Sequence, residues 1–277
     1  MSKDVDDFLE HFGVKGMHWG VRRDRGSGAD RHASADAFDS YINRVVAKIN
    51  SEGPLTKADY EKLSSKGETF AKGTTLNRIT QDPSGITRGV TFVSRLKEDN
   101  NFYKAAIPAG LVSNEKGAGQ KKYRNTYEVG LETVNRLSLP SPKARVDAFT
   151  EILGKNVVHV PGHQSPMTGR DYLKTLGYGD EIKSLNDQEV GLKFYKSFLL
   201  GQGHADDPLN DPYFSVLKKK GYNALSDDQN KGTFTRAPLI LLDANGAAKV
   251  NYVRKLTTEE INQAQRNLKG KHPGLET

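Results

Sequence analysis

Cysteine is absent from all 277 residues. That excludes disulfides, thiolate nucleophiles and Cys-ligated zinc, and it frees the chain from dependence on one redox compartment. No apolar run approaches the ~20 residues that a membrane-spanning helix needs. The N-terminus carries Asp4, Asp6 and Asp7 where a secretion signal has its apolar core. The expectation is a soluble chain with no secretion signal and no membrane partner. Tryptophan occurs once and methionine three times. Hydrophobic residues make up 35% and the mean hydropathy is −0.66, both low for a compact enzyme. Enough Leu, Val, Ile, Phe and Tyr follow residue 70 for a real core.

Acids are the minority charge. Against 41 Lys and Arg stand 34 Asp and Glu, a formal charge of +7 with a sequence pI near 9.3. The excess is dispersed, with small clusters at Lys121-Lys122-Tyr123-Arg124 and Lys218-Lys219-Lys220. Without a stripe of interleaved aromatics, it supports only weak, nonspecific contact with nucleic acid. The phosphate-cradling Gly-x-x-x-x-Gly-Lys-Ser/Thr loop, the dinucleotide Gly-x-Gly-x-x-Gly and the Gly-x-Ser-x-Gly elbow are also missing. His159 and His163 would share one face of a helix as metal ligands. Val157-Val158 and Pro161-Gly162 argue against a helix there, and no carboxylate lies nearby, so no metal site is expected.

What the chain does have begins at its N-terminus. His11 to Arg23 packs Gly13, Gly16 and Gly20 among Phe12, Val14, Met17, Trp19 and Val21. Each glycine inside a helix costs roughly 1 kcal/mol against alanine, so this stretch is a poor helix. It is too apolar and aromatic for a solvating tail. Trp, Met and Arg are residue types enriched at the centres of interfaces, so either a docking arm or an arm packed on its own domain fits. The docking contacts would be Phe12, Val14, Met17, Trp19, Arg22 and Arg23. The stretch Phe8-Leu9-Glu10-His11-Phe12-Gly13-Val14-Lys15-Gly16-Met17-His18-Trp19-Gly20-Val21-Arg22-Arg23 resembles a short N-terminal element of many tailed-phage proteins encoded among head and tail morphogenesis genes. The usual form has Lys where this chain has His18, and often Tyr or His at Phe12. The resemblance covers about the first 23 residues and implies a virion or virion-assembly protein. Its partner would be another phage structural protein (capsid, portal or tail component). Its location would be the virion, with the host cytoplasm during assembly or after ejection.

Asp24 to Ala35 is Gly, Ser, Asp and Arg without apolar periodicity, a linker. Ser34 can cap a helix over 36–51, and Gly53-Pro54 ends it. Thr56 with Asp59 makes a capping-box-like start for a second helix through Tyr60 and Leu63. Strand character follows at 69–71, 74–79 and 89–94, then a charged helical segment from Arg95 to about Ala106. The longest strand signal runs from Asn125 to Leu139, with a slip in its alternation near Val134. Helices are expected at 143–153, over most of 169–201, and at 211–220. Buried strands are expected at 222–225 and 237–242, an edge strand at 249–256, and a last helix capped by Thr258. The order predicts an α+β fold, a mixed or antiparallel sheet with flanking helices, preceded by a flexible arm and a short helical hairpin. The expected divisions are 1–35 (arm and linker), 36–67 (hairpin) and 68–277 (α+β domain).

One dispersed set suggests chemistry. Arg78 ends the strand Thr74-Thr75-Leu76-Asn77-Arg78-Ile79, and Thr91-Phe92-Val93-Ser94 ends the next. Tyr127-Glu128-Val129 follows, then Gly221-Tyr222-Asn223-Ala224-Leu225, a polar loop, and the strand from Ala237. This arrangement resembles the ADP-ribosyltransferase fold of phage and bacterial toxin-like proteins, over roughly residues 68–256. The resemblance implies NAD as cofactor and Arg78 as its phosphate contact, with Thr91 and Ser94 shaping the nicotinamide pocket. A cation for the pyrophosphate, a fixed hydroxyl and a carboxylate where positive charge develops make physical sense together. The late strand should open with Glu, but here Thr235-Arg236-Ala237-Pro238 stands in its place. The catalytic acid would then come from Asp227 or Asp228, with Asp228 the choice, or from Glu128 or Glu132, with Glu128 the choice. The function expected is a virion-associated protein whose body is an active or degenerate transferase-like module. The alternative is a purely structural minor capsid, connector or tail protein.

Overall fold

A computed structural model describes residues 53–86, 90–108, 125–199, 208–228 and 235–270. The docking arm, the linker and the helix expected over 36–51 lie outside these residues. The chain is α+β, with antiparallel strand pairing throughout its largest sheet.

The first elements are α1 (Lys57–Lys62), β1 (Thr69–Phe70), β2 (Thr75–Thr80) and β3 (Thr91–Ser94). A 3-10 turn over Lys97–Asp99 leads into α2 (Asn100–Ala106), and β4 (Tyr127–Thr133) and β5 (Leu137–Ser138) follow. Next come α3 (Pro142–Leu153), β6 (Asn156–Val158), β7 (Met167–Thr168), α4 (Gly169–Leu173), α5 (Gly179–Ile182), α6 (Asp187–Leu199) and α7 (Asn210–Lys219). The chain continues with β8 (Ala224–Ser226), β9 (Pro238–Leu241), α8 (Ala244–Ala247), β10 (Ala248–Lys255) and α9 (Thr258–Gly270).

These elements fall into two compact units that interleave in sequence. Among the described residues, one holds 53–68 and 138–222 and is mostly helical. The other holds 69–137 and 223–270 and contains the sheet. The α3–α7 helices group with α1, and the segments before and after them group with the sheet.

In the helical unit α1 starts as expected. The Thr56 hydroxyl accepts from the Asp59 N–H at 3.1 Å, and the Asp59 carboxylate accepts from the Thr56 N–H at 3.0 Å. The core is built on α3, which packs against α6 and α7. It buries Val146, Phe149, Ile152 and Leu153 from α3, Val190 and Leu192 from α6, and Tyr213 and Leu217 from α7. The α3–α6 crossing needs Gly191, because any Cβ there would meet the Thr150 side chain. Tyr60 donates to Asp147 at 2.5 Å, and burial together with that carboxylate pushes its phenol up to about 12. His159 and His163 lie exposed on the loop from β6 to β7, where a turn bonds the His163 N–H to the Val160 carbonyl at 3.0 Å.

The sheet of the other unit has six strands in the order β10-β4-β2-β3-β9-β8. The long signal over Asn125–Leu139 breaks after Thr133, at the slip in alternation near Val134. Beyond the break β5 pairs with β1 instead. The edge strand expected over 249–256 is β10. A register shift between Val250 and Tyr252 interrupts its pairing with β4. One face of the sheet packs Ile79 with Tyr103 of α2, Ile261 of α9, and Ile107 and Leu256 just outside those helices. The last helix is capped by Thr257 rather than Thr258. The Thr257 hydroxyl accepts from the Glu260 N–H at 3.2 Å, and the Glu260 carboxylate accepts from the Thr257 N–H at 2.9 Å.

Candidate functional site

In an antiparallel sheet, directly opposed residues point to the same face, and the face alternates along each strand. The register therefore sorts the candidate residues. Arg78 lies opposite Val129, while its neighbours Asn77 and Ile79 lie opposite Gly130 and Glu128. Asn77 is also opposite Ser94. Ser94 and Glu128 therefore share the face that carries Ile79 and the helices α2 and α9. Arg78 and Thr91 point to the other face. Thr91 sits opposite Leu241, Val93 opposite Leu239, and Leu239 opposite Ser226, so Ser226 belongs with Arg78 and Thr91. Asp228 follows just beyond β8 and accepts the Ser226 hydroxyl at 2.7 Å. The five predicted residues are thus divided: Arg78 and Thr91 lie on one face, with Asp228 bonded to Ser226 of that face, and Ser94 and Glu128 lie on the other. Arg78, Thr91, Ser94 and Glu128 are all buried.

Glu128, on β4 beside the edge strand β10, is 1% exposed. Its Oε2 accepts from Arg254 on the neighbouring β10. Its Oε1 lies 3.5 Å from Lys104 Nζ on α2 and 3.6 Å from Lys97 Nζ on the 3-10 turn. Arg254 continues outward to Glu260, with bonds of 2.8 and 2.9 Å from one guanidinium nitrogen. Burial works against ionisation of Glu128. The Arg254 hydrogen bond and the charges of Lys104 and Lys97 outweigh it and hold the carboxyl below its ordinary range. The same network raises the Arg254 guanidinium, chiefly through Glu128, and lowers Glu260 through the Thr257 backbone and Arg254. The role expected of it is that of a carboxylate beside developing positive charge, but its oxygens are already turned to Arg254, Lys104 and Lys97. The cations around it also make it a poor metal ligand. What it does is tie β4, β10, α2 and α9 together.

Ser94 belongs to a second network that centres on Asp99, a residue with no role in the sequence reading. Asp99 is 3% exposed at the end of the 3-10 turn. Its carboxylate accepts the Ser94 hydroxyl at 2.5 Å and the N–H groups of Arg236 and Ala237, each at 3.0 Å. Ser94 Oγ in turn accepts from the Leu96 N–H at 3.1 Å. The opening of β9, where the transferase resemblance expects a Glu on the strand itself, therefore does meet a carboxylate. It arrives from the segment after β3, and its hydrogen bonds are spent holding the backbone. The only signal in the sequence was its position, an acid in Lys97-Glu98-Asp99 directly after a strand and before a helix.

Among the described residues, no group of three or more His, Asp or Glu converges as metal ligands, and no helix is long and apolar enough to cross a membrane. Phe12, Val14, Met17, Trp19, Arg22 and Arg23 lie outside the described residues. Comparison with known proteins reaches only that arm. No curated protein and no solved structure matches the chain. Residues 2–26 match DUF7211, a family of unknown function.

Proposed function

We propose that this is a virion-associated protein of a tailed phage, held to another structural protein of the particle by residues 8–23, with the α+β body carried behind. The phage part of this reading rests on the resemblance of residues 8–23, and the observation that supports a separate docking unit is the extent of the family match. It covers residues 2–26, takes in the whole phage-like stretch, and stops as the Gly/Ser linker begins. An N-terminal unit recognisable by itself, ahead of a body that matches nothing, is what a portable docking tag looks like. The body is read as structural, a part of a minor capsid, connector or tail protein. The separation of Ser94 and Glu128 from Arg78 supports that choice, as does the use of Ser94, Asp99 and Glu128 as ties between elements. Deleting residues 1–26 should leave the melting temperature of the body nearly unchanged and abolish incorporation into particles. Normal incorporation of the truncated protein would contradict the reading.

One observation favours a second reading, a retained NAD pocket. Arg78 and Thr91 share a face with Ser226, the partner of Asp228. On this reading the acid is Asp228, while Ser94 and Glu128 have no part in it. A charge-assisted arginine contact is worth roughly 1.5–3 kcal/mol, so Arg78→Ala should weaken NAD about ten- to a hundredfold. Lysine would not restore a planar fork. Calorimetry with NAD on the full chain tests this, with circular dichroism to verify that the Arg78→Ala variant is folded. No heat from the wild-type chain removes the enzyme and leaves the structural protein.

A further inference from the structure

The six-stranded sheet ends on β10, and no described strand pairs with its outer edge. Residues 251–255 are all exposed. Tyr252 (41%) and Val253 (38%) are the exposed large hydrophobic residues among those described. They are neighbours on this strand and therefore point to opposite faces of the sheet. Tyr252 is held in place, because its ring lies over Gly130 where a Cβ would collide with it. An open edge flanked by an apolar side chain on each face is a template for an added strand.

The charges decide which strand can be added. β10 carries Lys249, Arg254 and Lys255 and no acid. Lys249 is paired with Glu132 at 3.4 Å, and Arg254 with Glu128 and Glu260. Lys255 is exposed and makes no ion pair among the described residues. A second copy of β10 would bring the same cations against these without a single carboxylate. The break in register at Val250 and Tyr252 further spoils a straight self-pairing. Lysines and bulges on an edge act against like partners. They do not act against a chain that offers acids beside Lys255 and Arg254 and apolar side chains beside Val253 and Tyr252. We propose that the outer edge of β10 receives an extended acidic segment of a partner protein as a seventh strand, with two adjacent acidic residues beside Lys255 and Arg254 and two adjacent apolar residues beside Val253 and Tyr252.

The test uses the full-length chain and a short synthetic peptide built on the repeat Glu-Glu-Val-Val. A lysine–valine peptide is the control. Fluorescence anisotropy measures binding at low and high salt, and amide hydrogen exchange maps it. The expected result is salt-sensitive binding of the glutamate peptide only, with slowed exchange over residues 248–255. Lys255→Glu should weaken it about fivefold, the size of a reversed cross-strand charge pair, with the melting temperature unchanged. No binding, equal binding of the lysine peptide, or protection elsewhere in the chain would overturn the proposal. So would self-association of the chain with protection over 248–255, which would make a second copy the occupant.

Discussion

The two units bury different things. Of fifteen buried polar or charged residues among those described, twelve belong to the sheet unit and three (Ser141, Arg145 and Asn210) to the helical one. The helical unit keeps its ion pairs at the surface, as in Glu151 with Lys155 and Lys220, or Asp171 with Lys174. Its core is aliphatic and aromatic. The sheet unit buries Asn77, Arg78, Ser94, Asp99, Asn100 and Glu128 around β2, β3 and β4. Buried polar groups cost free energy unless they are satisfied, and once satisfied they specify a single arrangement. The helices are held by packing, whereas the sheet is fixed in register and covering by networks that tolerate little change.

Removing one partner from each unit makes the contrast measurable. Glu128→Gln strands Lys104 and Arg254 beside a neutral side chain. Breaking a buried pair costs ~3–5 kcal/mol, but these cations are partly exposed, so about 2–3 kcal/mol is expected. Glu151→Gln in the helical unit should cost less than ~1 kcal/mol. Urea unfolding of the two variants decides between them, and equal costs would erase the distinction. Asp99→Asn turns an amide N–H toward one of the Arg236 and Ala237 N–H groups and should cost about 2 kcal/mol. Ser94→Ala removes the hydroxyl that donates to Asp99 and accepts from the Leu96 N–H, for about 1.5 kcal/mol.

Acid sharpens the comparison. Glu128 and Glu260 have folded-state values below their ordinary range, so the folded chain binds fewer protons than the unfolded one at mildly acidic pH. Their contribution is complete above the unfolded value of ~4.3 and is lost as pH falls through the lower folded values. Glu128→Gln should therefore flatten the loss of stability on acidification below pH ~5, measured by unfolding at stepped pH. An unchanged slope would mean that the Arg254 network contributes nothing. The smallest effect is expected at α1, where Thr56→Ala removes one capping bond for about 1 kcal/mol or less.

Local patterns were legible in the sequence. Thr56 and Asp59 announced their capping box because both halves lie within one turn. Strand character marked β2 and β3, and alternation marked β4, whose slip near Val134 marked the break. The division into units was not legible, because the sheet is assembled from segments on both sides of the α3–α7 helices. Nor were the faces. Arg78 and Ser94 read as companions until the Asn77–Ser94 pairing placed them apart. Asp99 looked like one acid in a charged helix, since its N–H donors lie 137 and 138 residues away. The cations of Glu128 are likewise scattered, at Lys97, Lys104 and Arg254.

The docking role of the arm has one direct measurement. Residues 1–26 would be fused to an unrelated reporter, expressed during infection, and counted in purified particles beside the full-length protein. The fusion should enter particles as well as the full chain does. Trp19→Ala should cut its incorporation about tenfold or more, as loss of an interface anchor would. A fusion absent from particles that do contain the full-length protein would contradict the account.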